Sequence, residues 1–387
     1  MQSIKDKTAI VGIGVTDFSK NSGRTELFLA CECVKNAVDD AGLKMEDIDG
    51  MVKAVADPVD ALYLQKCLGI DNLNYASDSH WGSSPMLNAV TAITAGIANY
   101  VLYYRSINGS SKRRMISDFR AALETRDNSL DMIRYDFYSP FGLITPEGLV
   151  AIIVRRYMHE FGIRSEQFGW VTTVCSEHAA RNPRAIFYEK PITIDDYLKS
   201  DVAVEPLHAL DCAPVVDGAL AIIITSADRA KNLKKMPVYL MAVAQGTATE
   251  GQFLSSYSRP VMSSLPEVSY MGEELFRVAG VKPEDIDVVQ LDDSYAPLVP
   301  LQLEELGFCR RGEGAAFCEG GDRIRVGGIL PLNTSGGFIG EGHIYGSNII
   351  EAVRQIRGTS TSQVDGAELA LVASGAGGPA DGLILRK

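Results

Sequence analysis

No Cys-x-x-Cys pair occurs anywhere in the chain, although it has seven cysteines. Cys31, Cys33, Cys67, Cys175, Cys212, Cys309 and Cys318 are odd in number and scattered, which argues against a structural zinc site and against a disulfide framework. Reduced, mostly buried thiols of a cytosolic protein fit that spacing. Positive charge is also short. With 37 Lys and Arg against 49 Asp and Glu, the net charge of −12 excludes an extended nucleic-acid surface. The N-terminal MQSIKDKTAIVGIG enters a strand pattern at once, without a secretory apolar region. The most membrane-like run, MLNAVTAITAGIANYVLYY (86–104), is broken by Asn88, Gly96 and Asn99, so a helix followed by a buried strand describes it better than a span. These absences predict a soluble, cytoplasmic protein.

What is present is a long chain able to bury a core, 387 residues with 46% hydrophobic content, and it repeats itself. AGLKMEDIDGMV (41–52) returns as AGVKPEDIDVVQ (279–290), identical at seven of twelve positions. Upstream of each copy lies an apolar strand, TAIVGIG or YLMAVAQG, and then an amphipathic helix ending at Ala-Gly. Downstream, GSSPMLNAVTAITAG matches GSNIIEAVRQIRG, and a further strand follows each; DGALAIIIT and DGLILRK close the two halves. Near-continuous apolar strands predict sheets covered on both faces. The expected domains are a first half at 1–106 plus 206–233, an inserted loop or cap domain at 107–205, and a second half at 234–387.

Four blocks in order carry a family resemblance. PLNTSGGFIGEGHIYGSNIIEAVRQIRG (331–358) resembles the Asn-Pro-Ser-Gly-Gly … Gly-His-Pro-Leu-Gly-Ala-Thr-Gly block of the thiolases related to sterol carrier protein X. DVVQLDDSYAPLVPLQLEELGFC (287–309) resembles that group's Glu-Leu-His-Asp-Cys-Phe block. CAPVVDGALAIIIT (212–225) is similar to its Cys-Pro … Asp-Gly-Ala-Ala strand, and EHAARNPRA (177–185) to its loop-domain His … Asn-Pro. The resemblance implies the thiolase fold: two duplicated α/β halves in five layers, α-β-α-β-α, with a loop domain inserted in the first.

Thiolase chemistry itself is missing. The stretch matching the nucleophilic cysteine is YASDSHWGSSPM (75–86), with Ser79 at that place, and no cysteine lies between Cys67 and Cys175. The last glycine-rich loop, VASGAGGPADG (372–382), lacks the second, acid/base cysteine. A serine nucleophile at Ser79 would need an adjacent base, and the sequence neighbour His80 rarely has that geometry. Two phenols appear instead: Tyr295, where the family has phenylalanine, and Tyr345, where leucine is usual. Each reads as a proton carrier or as a packed tyrosine with its hydroxyl satisfied. This combination resembles the thiolase-like aldolases of bacterial sterol and bile-acid side-chain breakdown, which work with a zinc-ribbon/OB-fold partner.

That resemblance implies retro-aldol cleavage of a β-hydroxyacyl-CoA thioester, with a steroid or bile-acid side chain as the expected substrate and a ketone or aldehyde plus a short acyl-CoA as the products. Such a reaction needs a base for the hydroxyl, a stabiliser for the thioester enolate and an acid for its α-carbon. His343 sits where thiolases hydrogen-bond the thioester oxygen. Tyr295 is cast as the base and Tyr345 as the acid, with the reverse order open. Asp292 and Asp293, if charged, would raise a neighbouring phenol's pKa. A second oxyanion donor is expected from backbone N–H groups near Ser79, and His178 is expected along the acyl pocket. For coenzyme A, part of the substrate, the candidates are Gly336, Gly342, Gly346, Gly375, Lys112 and Arg113. Lys112 and Arg113 belong to SSKRR (110–114), which reads equally as a solvated loop. No cofactor is expected in this chain; zinc is expected only in the partner, within an α2β2 complex built on a homodimer. The competing reading is a catalytically silent thiolase-fold subunit that binds acyl-CoA or scaffolds a partner enzyme.

Overall fold

The computed structural model describes residues 4–79, 82–112, 134–248, 259–375 and 379–387. The first half runs β1 (Thr8–Val15), α1 (Glu26–Ala41), β2 (Gly50–Ala54), α2 (Ala61–Leu68), β3 (Tyr75–Ser79), α3 (Ser84–Thr94) and β4 (Tyr100–Asn108). An excursion then carries α4 (Pro146–Phe161), α5 (Ser165–Ala179) and the short strands β5 (Val202–Val204) and β6 (Leu207–His208) before β7 (Asp217–Ser226) closes the half. The second half runs β8 (Val238–Gly246), α6 (Pro266–Ala279), β9 (Val288–Leu291), α7 (Leu298–Glu305), α8 (Gly337–Glu341), α9 (Ser347–Arg357), β10 (Leu369–Ser374) and β11 (Ala380–Arg386).

The repeated sequence has a physical reason at each position. Helices α1 and α6 both end on a left-handed glycine, Gly42 and Gly280. Asp47 and Asp285 then accept the N–H of Lys44 at 2.7 Å and of Lys282 at 2.8 Å, pinning a 3₁₀ turn in each half. Asp49 accepts the N–H of Asn99 and Tyr100, each at 2.8 Å; Asp287 accepts those of Glu368 and Leu369 at 2.9 and 2.8 Å. Each aspartate thereby fixes where the next sheet strand starts.

The strand order is β3-β2-β4-β7-β1-β8-β11-β10-β9, one half mirrored against the other. Within the sheet the halves are joined edge to edge where Ala9 and Ile10 of β1 pair with Tyr239 and Val238 of β8. In the second half the counterpart of β3 shrinks to a single bridge between Val289 and Leu332. Three apolar clusters separate five layers. One holds α1 against the first half's strands (Leu29, Val34, Ile223). A second embeds α3 and α9 between both halves (Met86, Val90, Ile349, Val353 with Ile224 and Leu383). The third covers the outer face of the second half with α6 and α7. Helices α4 and α5 also belong to this third cluster, through Val150, Val154, Val171 and Val174. Although inserted in the first half by sequence, they share a core with the second. No described helix is long and apolar enough to cross a membrane.

Candidate active site

The chain leaving β9 makes a tight polar turn. Asp292 accepts from the Ser294 N–H at 2.9 Å and from the Ser294 hydroxyl at 2.5 Å, an Asx-type turn that aims Ser294 and Tyr295 out of the sheet. Asp293 turns the other way. Its carboxylate accepts the N–H groups of Phe338 at 2.8 Å and Ile339 at 3.3 Å, capping α8. Burial pushes the Asp293 pKa up to about 7. It therefore anchors the glycine-rich loop rather than reaching a substrate.

That loop returns His343 and Tyr345 to the same place. The Tyr295 backbone bridges to Cys212, and the His343 backbone bridges to Val215, with the His343 N–H donating to Pro214 O at 3.0 Å. One four-residue stretch thus straps both catalytic candidates together. His343 Nε2 lies 3.2 Å from Ser294 Oγ. Its ring is 4.9 Å from Phe338 and 5.0 Å from Tyr345, and Phe338 meets Tyr345 edge-on at 5.4 Å. Neither Tyr295 nor Tyr345 is fully buried.

The electrostatics keep all three groups neutral at pH 7. Burial, then the charge of Arg105, lowers the His343 pKa to about 4. With the Ser294 hydroxyl donating to Asp292, its oxygen is left to accept from His343 Nε2–H, and in that tautomer a bound thioester oxygen would take the same N–H over from Ser294. Tyr295 is raised by burial and then by Glu147, Cys212, Tyr345 and Asp292. Tyr345 is raised by burial and by Asp292, and lowered by its Ser294 hydrogen bond and by Arg105.

The start of α3, where Ser79 leads in sequence, is built differently from the expectation. Asp381 of β11 accepts the Ser83 N–H, the Ser84 hydroxyl at 2.8 Å and the Ser374 hydroxyl at 2.6 Å, and Gln245 donates to Ser84 Oγ at 2.5 Å. An internal carboxylate from the other half occupies that helix start, so the Ser83 N–H is committed and is no oxyanion donor. The carbonyl of Ser79 accepts from Val55 N–H at 2.7 Å. His80 and Arg113 lie outside the described residues. His178 is buried with both ring nitrogens against backbone, Nδ1 at 3.3 Å from Asn333 O and Nε2 at 3.4 Å from Val326 N, which fixes it as a packing residue. Lys112 pairs with Glu26. A Cβ on Gly336, Gly342, Gly346 or Gly375 would press on Ala179, Val216, Leu220 or Ala380, so these glycines allow close packing of the loop. Three residues went unread in the sequence: Ser294, Asp381 and Arg105. A lone arginine inside the apolar run YVLYYRS was the signal for the last.

A family model described as Thiolase C-terminal domain-like matches residues 246–383. The chain is 44% identical to the 17-hydroxy-3-oxo-4-pregnene-20-carboxyl-CoA lyase of Mycobacterium tuberculosis, over 99% of this chain and 100% of that one. It is 43% identical to a steroid side-chain-cleaving aldolase of Thermomonospora curvata, over 100% of this chain and 99% of the relative. The chain belongs to the thiolase-like family. A solved structure of the Ltp2-ChsH2(DUF35) aldolase superposes with a TM-score of 0.93 at 42% identity, covering 100% of this thiolase-like chain and 99% of that one. The fold expected from the duplicated halves is therefore the fold found.

Proposed function

We propose that this thiolase-like protein is a lyase that cleaves a steroid β-hydroxyacyl-CoA by a retro-aldol reaction. The observation that carries the reading is one junction holding two partly exposed phenols and a neutral imidazole in a chain without either thiolase cysteine. The names of the relatives, a carboxyl-CoA lyase and a side-chain-cleaving aldolase, support it. A thioester with a hydroxyl on steroid carbon 17 and its CoA carboxyl on carbon 20 has that hydroxyl β to the thioester carbonyl. Scission then gives a 17-ketone and propionyl-CoA.

In the proposed sequence the hydroxyl proton moves to Tyr295 as Tyr295 passes its own proton to the carboxylate of Glu147, and that proton makes good the one Tyr345 gives to the enolate carbon. Glu147, in the first turn of α4, is the carboxylate whose charge bears most on that phenol. The oxygen's electron pair becomes the ketone π bond, the carbon–carbon bond breaks, and its pair enters the enolate. His343 Nε2–H donates to the thioester oxygen as charge gathers there. Tyr345 protonates the α-carbon. Oxidation state is unchanged: one O–H and one C–C bond are exchanged for a C–H bond and a carbonyl π bond.

The superposed aldolase is named as an assembly with a DUF35 protein, which supports a DUF35 partner here. We assign to that partner a zinc-ribbon/OB-fold architecture with any zinc, and to the whole an α2β2 arrangement around a homodimer. Co-expression with the DUF35 partner and assay on the 17-hydroxy thioester test the reading. Tyr295→Phe and Tyr345→Phe should each fold and lose at least ~10²-fold in kcat. His343→Ala should lose about 2.7–4 kcal/mol of transition-state stabilisation. Full activity in both tyrosine variants would remove the reading.

A further inference from the structure

From Val101 to its end β4 is buried, and it carries one cation, Arg105, which is 3% exposed. A guanidinium does not shed its proton in a protein, so its charge is fixed wherever the fold puts it. Here the fold puts it across the junction of the halves. The Arg105 Cζ lies 5.9 Å from the centroid of the Tyr345 ring, on a strand of the first half facing a loop of the second. Behind it is Asp57, whose carboxylate accepts the N–H groups of Val59 at 3.0 Å and Ser106 at 2.7 Å. Arg105 is the charge that most offsets the effect of burial on that carboxylate.

The two phenols therefore stand in unlike surroundings. Tyr345 is faced by the carboxylates of Asp292 and Asp381, by the Ser294 hydroxyl, by the neutral His343 ring and by the Arg105 cation. Tyr295 is faced by Glu147 and Asp292, and by Cys212 and Tyr345, which gain negative charge if they ionise. A phenol that gives up a proton leaves a phenolate, and a cation at its ring favours that product.

We propose that Arg105 is a positioning residue that acts through Tyr345, its buried charge stabilising the phenolate left when Tyr345 protonates the enolate carbon, so that Tyr345 is the acid and Tyr295 the hydroxyl-side phenol. This rests on the retro-aldol reading and orders its two tyrosines. By microscopic reversibility, the same Tyr345 oxygen removes an α-proton from the short acyl-CoA product when the reaction is run backwards. That half-reaction needs no ketone and no Tyr295.

The test is exchange of the α-protons of propionyl-CoA in D2O, followed by mass spectrometry on the complex with its DUF35 partner, beside kcat and KM for cleavage. Tyr345→Phe should lose exchange by ~10²-fold, while Tyr295→Phe exchanges like wild type and cleaves poorly. Arg105→Gln should lose on the order of 10-fold in both exchange and kcat with KM little changed, and Arg105→Lys should recover part of it. In a Tyr345→Phe background, Arg105→Gln should add nothing. Wild-type exchange in Arg105→Gln, or a loss that adds fully to that of Tyr345→Phe, overturns the proposal. So does exchange that survives Tyr345→Phe and fails in Tyr295→Phe. If Arg105→Gln does not fold, Arg105→Lys decides: exchange climbs with pH as phenolate accumulates, and a charge moved off the ring displaces that climb to higher pH. Superimposable wild-type and Lys profiles overturn it. Full cleavage by both tyrosine variants is a separate outcome, which removes the retro-aldol reading itself.

Discussion

A neutral imidazole that must donate to a developing oxyanion depends on what fixes its proton, and here that is Ser294. Its hydroxyl is committed to Asp292 at 2.5 Å, so its oxygen can receive His343 Nε2–H at 3.2 Å. Ser294→Ala removes that acceptor while the backbone turn at Asp292 remains. One such hydrogen bond contributes between about 0.5 and 1.5 kcal/mol, so kcat should fall roughly 2- to 13-fold with KM and thermal midpoint nearly unchanged. Ser294→Thr should restore it, and an unchanged kcat in Ser294→Ala would show that the ring needs no such orientation. The sequence made Tyr295, Tyr345 and His343 legible because each stands at a position where a glycine-rich or acidic block departs from or keeps a known pattern. Ser294, between them, is an ordinary small polar residue whose role exists only once two distant loops meet. Arg105 is separated from Tyr345 by 240 positions in the chain, and nothing local to either announces the pairing.

Among the elements, α9 shows how a loop conformation sets a side chain. It begins at Gly346, whose φ of 99° is one that L side chains rarely adopt. A Cβ there would lie 3.1 Å from the Tyr103 hydroxyl and 3.1 Å from Leu220 Cδ1. Gly346→Ala should therefore destabilise the fold by about 1–3 kcal/mol. Because Tyr345 is the preceding residue, kcat should drop as well. Thermal unfolding and turnover measured on one preparation check both, and a stable, fully active variant would show that the loop has room to relax. Glycines in this block were legible as backbone devices but were assigned to coenzyme A. A Cβ at Gly336, Gly342, Gly346 or Gly375 would press on Ala179, Val216, Leu220 or Ala380, a packing role that composition does not carry. The repeated Glu-Asp-Ile-Asp was read better, since each aspartate forms the same backbone bonds in both halves.

For the whole molecule, duplication explains both what was legible and what was hidden. Two copies of one pattern imply two strand-and-helix halves with a shared middle layer, as found, and the strands of the two halves join through β1 and β8 into one nine-stranded sheet. The copies do not say that α4 and α5 pack on the opposite half, because apolar helix faces carry no address. The closing of two halves on one another also buries charge. Burial raises Asp57 to about 6 and Asp381 to about 6, and lowers His178 and His343 to about 4. Asp211, raised by burial to about 7, accepts from the Tyr197 hydroxyl at 2.9 Å and from His208 N–H at 2.8 Å, away from the proposed chemistry. A carboxylate whose folded pKa exceeds its unfolded value contributes stability that is complete below the unfolded pKa and is lost as pH rises through the folded one. The lowered histidines act in reverse, contributing above their ordinary value of about 6.5 and losing it as pH falls through 4. Between pH 4 and 6.5 the two sets oppose each other, so the wild-type profile alone separates neither. Asp211→Asn does. The variant carries no titrating group at this position, and its stability relative to wild type should rise by up to ~1.4 kcal/mol per pH unit from pH 4 to 7, then level off. Thermal midpoints of both proteins across pH 4.5 to 8 give the difference directly; a flat difference would mean that Asp211 is ionised in the fold throughout, with the Tyr197 and His208 hydrogen bonds outweighing its burial.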